Sequence, residues 1–323
     1  MILSEYLPPR RDQLWPLAVQ MGIRHAIVNA KPERTGLEPI WNLEPLRQIQ
    51  RELAEAGLNL YGLEGDQFDM SRIKLGLPGR EEDLNRFCQM VENMGRLGIP
   101  LLCYNFMAQI GWFRSKADVA ARGGALVSRF DVSELPSGLT EAGQVSSEQI
   151  WENFRIFVRR VMPVAEANHV QMALHPDDPP LPSLRGVGRI FGSVEAFEKA
   201  FALAPSPCNG VTFCRANFKL MGADLADCVR RFGKAQRLFF VHLRDVRGTA
   251  ERFEEVFHDE AAAELMETLR ECHSVGFTGP LRCDHVPTLA GEANAQPGYG
   301  TLGRLFADGY IIGLMDAMGI PRE

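Results

Sequence analysis

The chain contains no uninterrupted apolar run near the roughly 20 residues that a membrane-spanning helix requires. It has no cationic excess either. Its 35 Lys and Arg stand against 41 Asp and Glu, a formal net charge of −6, which leaves no basic footprint for nucleic acid. That balance says little about small ligands, because an acidic total tolerates a local cationic pocket. The start, Met1-Ile2-Leu3-Ser4-Glu5, lacks the basic segment, apolar stretch and small-residue cleavage site of a secretory leader. Seven cysteines (Cys88, Cys103, Cys208, Cys214, Cys228, Cys272 and Cys283) are odd in number and widely spaced, with no Cys-x-x-Cys pair among them. Most lie in apolar runs, where a thiol behaves as a small hydrophobe. A cytoplasmic protein is expected, with neither nucleic acid nor membrane as partner.

What is present is an alternation of short apolar runs with amphipathic stretches, the pattern of βα units around a parallel sheet. Eight runs read as strands: 2–6, 25–30, 58–64, 100–106, 171–175, 210–214, 238–243 and 279–285. Leu238-Phe239-Phe240-Val241 has the continuous apolar character of a strand covered on both faces. Helical spacing is expected over 46–56, 81–97, 148–169, 194–203, 261–275 and 300–318, with Gly57 and Gly98 as stops after the first two. Eight strands interleaved with helices favour a closed (β/α)8 barrel formed by one domain, residues 1–323. The connection from Met107 to Ser147 breaks the rhythm. Gly123-Gly124 followed by Ala125 to Phe130 reads as a hairpin excursion over the barrel mouth, either a lid or an oligomer-contact surface.

Four metal-competent side chains, His175, Cys214, His242 and Asp284, fall at the ends of four consecutive expected strands. Strand C-termini are where such barrels carry their active-site groups. One His or Cys there is ordinarily packed and inert; four at equivalent positions are hard to explain that way. Imidazole, thiolate and carboxylate together suit a borderline ion: Zn, Fe(II), Mn(II) or Co. In His175-Pro176-Asp177-Asp178-Pro179-Pro180 the two acids either orient the ligands or cap a turn. Arg244 shares a strand face with His242 and either clamps a substrate carboxylate or pairs with Asp245 or Asp177. Asn105 and Arg189 are contact candidates or turn and surface residues. His285, beside Asp284, is the natural proton-transfer group. Tyr299 stands between Gly298 and Gly300, which let the backbone approach a ligand closely; its plainer reading is a turn tyrosine.

The stretches 73–80 (Ile-Lys-Leu-Gly-Leu-Pro-Gly-Arg), 103–107 (Cys-Tyr-Asn-Phe-Met), 175–180, Phe213-Cys214, 241–244 (Val-His-Leu-Arg), Asp284-His285 and Pro297-Gly298-Tyr299 resemble the mannonate dehydratase family, in the family's order. The resemblance implies a xylose-isomerase-like TIM barrel and a Mn(II) or Fe(II) site held by His175, Cys214, His242 and Asp284. It implies His285 and Tyr299 as the acid/base pair of a hydro-lyase of hexuronate catabolism, turning D-mannonate into 2-keto-3-deoxy-D-gluconate. A homo-oligomer is expected. There are departures. Arg215-Ala216-Asn217 replaces the family's Thr-Gly-Ser, Asp245 its Asn, and Cys283 and Val286 a Pro and a Gly. These changes are expected to touch the substrate while sparing the metal. The rival readings are a sugar isomerase or epimerase, against which the Cys214 thiolate argues, a dehydratase of another sugar acid, and a non-catalytic metal-bound binding protein.

Overall fold

The eight apolar runs become eight parallel strands in the computed structural model, which describes residues 1–323. They are β1 (Ile2–Leu7), β2 (His25–Val28), β3 (Asn59–Glu64), β4 (Leu101–Tyr104), β5 (Gln171–Leu174), β6 (Asn209–Cys214), β7 (Leu238–Leu243) and β8 (Pro280–Cys283). Each lies beside its neighbours in the chain, and β8 closes onto β1 with Ile2 opposite Pro280 and Leu3 opposite Leu281. Closure removes the unpaired edges an open sheet would leave. β6 and β7 are buried at every position, as strands covered on both faces require.

The six expected helices are present as Leu43–Glu55, Arg80–Arg96, Ser147–Ala167, Val194–Leu203, Ala262–Ser274 and Thr301–Ala317. Ser147–Ala167 starts from a capping box in which the Ser146 hydroxyl accepts from the Gln149 amide and the Gln149 side chain accepts from the Ser146 amide. It then buries Ile150, Phe154, Phe157, Val158 and Val161 along one face. Five shorter helices were not expected: Leu14–Gln20, Pro32–Thr35, Ser71–Leu75, Arg215–Leu220 and Leu225–Lys234. Four of them are at most seven residues long, too short for a 3.6-residue period to show. No helix is long and apolar enough to cross a membrane.

The Met107–Ser147 excursion does contain a hairpin, Lys116–Ala120 with Leu126–Asp131, turned at Gly123 and Gly124, both at positive φ. It does not stand alone. A second hairpin, Val246–Thr249 with Arg252–Glu255, follows β7 and joins it edge to edge, with Phe253 opposite Phe130. The resulting four-stranded antiparallel sheet has its own apolar cluster, in which Phe130, Val246 and Phe253 pack with Leu181, Leu184, Ala216 and Leu220. Leu126 and Thr288 exchange backbone hydrogen bonds of 3.0 and 2.8 Å, tying the sheet to the segment after β8. It is a fixed platform at the C-terminal mouth of the barrel.

Gly248 makes the second hairpin possible: its φ is +127°, and a Cβ there would collide with the Arg252 carbonyl. Gly248→Ala is expected to loosen this hairpin by more than about 1 kcal/mol. Amide exchange should accelerate across Val246–Glu255 while barrel strands keep their protection. Equal loss of protection in both would show that the sheet is not a separable unit.

Candidate metal and catalytic site

Strands β5 to β8 are neighbours, so their C-terminal ends carry four functional groups to one place. Cys214 stands in register with His242, and His242 with Arg282; Asp284 lies two residues further on, on the Arg282 side by the two-residue strand period. One ligand atom each from His175, Cys214 and His242 lies within 4.8 Å of the others. Asp284 completes the group, with Oδ2 3.9 Å from the Cys214 Sγ and 3.7 Å from the His242 Nδ1.

The imidazoles are prepared for a cation. The His175 Nδ1 sits 2.7 Å from the Pro176 carbonyl, which places its proton there and leaves the Nε2 lone pair free. Burial lowers the His175 pKa, keeping the ring neutral. His242 is 1% exposed, yet neither ring nitrogen has a hydrogen-bond partner. Orphaned polar atoms at such depth are costly; a cation among these donors would satisfy one of them, and the Nε2 stands 3.6 Å from the Glu64 Oε2. The residues fit a metal.

The surrounding charges hold the carboxylates ionised. Burial works to raise the Asp284 pKa, but His285, Arg282, His242 and Arg244 together hold it well below its ordinary value. Glu64, at the end of β3, receives two hydrogen bonds from Arg282 at 2.6 and 3.1 Å. Against the opposing effect of burial, Arg282 and His242 bring its pKa down to about 2. Arg244 donates to Asp284 at 2.7 Å, to Asp178 at 2.6 Å, to Glu255 at 3.1 and 3.2 Å and to Asn217 at 3.2 Å.

Above this group lies a cavity of about 340 Å³ whose wall includes Glu64, Asn105, His175, Asp284, His285 and Tyr299. His285 and Tyr299 meet edge to face with ring centroids 5.5 Å apart. The Val286 amide donates to the Gly298 carbonyl at 2.9 Å and so fixes the tyrosine loop. Gly298 has φ +83°, and a Cβ there would press on the His285 ring at 3.4 Å. Burial, followed by the charge of Asp284, pushes the Tyr299 phenol well above its ordinary pKa. Trp112, from the excursion, covers the other side of His285 at 5.0 Å.

The structure therefore brings His175, Cys214, His242, Asp284, His285, Tyr299 and Asn105 together. Arg244 and Arg189 stay outside the cavity wall. Every nitrogen of the Arg244 guanidinium is spent on protein acceptors, which leaves none for the carboxylate clamp expected from the sequence. Arg189 donates to the carbonyls of Ile110 and Gly111 at 2.9 and 3.1 Å, holding the start of the excursion. Asp177 neither pairs with Arg244 nor caps a local turn; it ties the loop after β5 to Phe191, accepting from that residue's amide at 2.8 Å. Sequence reasoning missed Glu64, Arg114 and Glu255. Glu64 had the same signal as the ligands, a polar residue ending a barrel strand; the other two come from polar loop and hairpin segments with no pattern to single them out.

A family model described as D-mannonate dehydratase (UxuA) matches residues 16–142 and 132–321. The chain belongs to this family. It is 30% identical over 318 residues to the mannonate dehydratase of Thermotoga petrophila, covering 86% of this chain and 87% of that one. Mannonate dehydratase 2 of Halalkalibacterium halodurans is 32% identical over 307 residues, with 86% and 88% covered. The crystal structure of mannonate dehydratase from Streptococcus suis serotype 2 superposes with TM-score 0.86 at 27% identity, over 100% of this chain and 97% of that one. D-psicose 3-epimerase from Clostridium cellulolyticum H10, at TM-score 0.61 and 12% identity, shares the fold.

Against the family pattern, the departures sit elsewhere than expected. None of Arg215, Ala216, Asn217, Asp245, Cys283 and Val286 lines the cavity. Arg215 and Asp245, both buried, form an ion pair at 3.0 Å. Two substitutions that look unrelated in sequence thus compensate one another behind the site.

Two outcomes follow from this geometry. Protein loaded with Co(II) should show thiolate-to-metal charge-transfer absorption, absent in Cys214→Ser; a band that survives in the variant would remove Cys214 from the ligand set. The depressed pKa of Glu64 means that its pairing with Arg282 stabilises the fold fully above the ordinary glutamate range, and that this stabilisation is lost as pH falls toward about 2. The melting temperature of metal-free protein should fall across that acid window, less steeply in Glu64→Gln. Identical slopes would refute the linkage.

Proposed function

We propose that this chain is a metal-dependent hydro-lyase that dehydrates D-mannonate to 2-keto-3-deoxy-D-gluconate. The observation that carries the reading is the shared cavity. His285 and Tyr299 face the same space as His175 and Asp284 of the metal-competent group, and each departure named above lies outside its wall. His175, Cys214, His242 and Asp284 would hold the cation, and Mn(II) or Fe(II) suits this donor set, with Zn(II) and Co(II) as close alternatives. A bound divalent ion supplies Lewis-acid stabilisation of the charge that develops on the substrate carboxylate when the adjacent C–H bond is broken.

The chain's own groups move the protons. The C2 proton is only weakly acidic and needs a base aligned with the C2–H bond; we assign His285. The C3 hydroxyl leaves as water only if it is protonated; we assign Tyr299, whose phenol is kept protonated by burial and by the nearby Asp284 charge. The enol left after loss of water takes up a proton at C3 to give the 2-keto-3-deoxy acid. Proton transfers of this kind are worth about 10²–10⁴-fold each. We also read residues 1–323 as one domain, supported by the ion pairs Arg114–Asp178 and Arg244–Glu255 that bind the small sheet to the barrel, and the protein as cytoplasmic, supported by seven free thiols.

The deciding experiment is anaerobic turnover of a hexonate panel with Mn(II) or Fe(II), run in parallel in D₂O. D-Mannonate should yield the keto-deoxy acid. Tyr299→Phe should lose dehydration while still exchanging the C2 hydrogen, and His285→Asn should lose both. Absence of turnover with any hexonate by metal-loaded protein would reject the function; loss of exchange in Tyr299→Phe would reverse the proton assignments.

A further inference from the structure

His285 can exchange a proton with a substrate only if one ring nitrogen faces the cavity with a fixed protonation pattern. What fixes it is neither a barrel residue nor its neighbour Asp284, whose Oδ1 is 3.8 Å from the Nε2. The Nδ1 lies 2.9 Å from the Oε1 of Glu255, a residue of the second hairpin. Glu255 is 3% exposed, and burial alone would favour its neutral form; Arg244 and Arg114, with His285, bring its pKa down to about 2. Arg114 reaches the Glu255 Oε1 at 2.6 Å and both oxygens of Asp178 at 2.6 and 3.1 Å. A carboxylate so held is acceptor only. It therefore requires the proton on the Nδ1 and leaves the Nε2 lone pair for the cavity. Trp112 and Tyr299 pack against the ring and oppose its rotation.

We propose that Glu255 is a positioning residue that selects the tautomer and orientation of His285, and that the four-stranded sheet serves to deliver it. Glu255 ends a strand whose partner in the excursion is paired through Arg252 with Asp131, Phe253 with Phe130 and Glu254 with Arg129. Arg114 precedes the first excursion strand. The excursion thus supplies both the strand that registers Glu255 and one of the two guanidinium groups that keep it ionised. It is a catalytic buttress.

This inference rests on the assignment of His285 to proton transfer, and the experiment separates the two. Turnover of D-mannonate is measured for Glu255→Gln, His285→Asn and the double variant, with bound Mn(II) and melting temperature recorded for each. Glu255→Gln is expected to lower kcat by about 10–100-fold, the scale for partners that orient an active-site imidazole, with KM and metal content little changed. In the His285→Asn background the same substitution should cost nothing further, since groups acting as one unit are non-additive. An equal loss in both backgrounds, no loss at all, or a loss reversed by excess Mn(II) would overturn the proposal. Should Glu255→Gln not fold, Glu255→Asp keeps the charge against the two arginines but shortens the reach to His285, and the same pattern is expected. A wild type inactive on every hexonate would instead fail the functional reading itself.

Discussion

Arg244 is the side chain on which the site's geometry converges. Fully buried, it binds Asp284, Asp178, Glu255 and Asn217 at once. With Arg114 and Arg282 it forms a set of three guanidinium groups facing four carboxylates: Glu64, Asp178, Glu255 and Asp284. Burying such charges is costly, and removing one member of a buried pair typically destabilises by about 3–5 kcal/mol because its partner is left unpaired. The set is tolerable because it is multiply hydrogen-bonded. It also carries one more negative than positive charge before any histidine is counted. That excess lies against His242, whose Nδ1 and Nε2 stand 3.7 and 3.6 Å from Asp284 and Glu64; one nitrogen carries the ring proton and the other offers a lone pair, so the charge balance and the donor set both favour a cation beside this ring.

The same set joins parts of the chain that share no secondary structure. Arg114 comes from the excursion after β4, Asp178 from the loop after β5, Arg244 from the end of β7 and Glu255 from the second hairpin. Apolar packing of Phe130 against Phe253 brings the two hairpins together, and the ion pairs then lock them over the barrel mouth. Packing alone is non-directional. The planar guanidinium groups supply the direction, because each fixes the orientation of the carboxylates it bridges.

This division explains what the sequence could and could not reveal. The barrel was legible because several of its strands are apolar on both faces and its longer helices repeat their apolar residues over about three turns or more. The metal-competent cluster was legible because a barrel collects strand ends at one mouth, which makes His175, Cys214, His242 and Asp284 neighbours as soon as the strands are counted. The second hairpin was not: Val246-Arg247-Gly248-Thr249 and Arg252-Phe253-Glu254-Glu255 each offer one apolar side chain to the small core. Val246–Thr249 pairs only with Arg252–Glu255, which in turn gains its place in the sheet by pairing with a segment more than 100 residues earlier in the chain. Arg244 was legible as important but not in its role, since a guanidinium that clamps a substrate and one that clamps three carboxylates read alike in one dimension.

The departures from the family pattern have the same lesson at a finer scale. Read position by position, an arginine after the ligand Cys214 and an aspartate after Arg244 suggest a rebuilt substrate pocket. The arginine alone would bury an unpaired charge beside the metal-competent residues. Together they neutralise one another, and Lys219 adds two hydrogen bonds to Asp245 at 2.8 and 3.1 Å from the solvent side. The pair sits behind the ends of β6 and β7, where it fixes the helix Arg215–Leu220 to the turn after β7 and contributes nothing to the cavity wall. Divergence behind a site is thus compatible with balanced buried charge, provided that each buried charge is introduced with its partner.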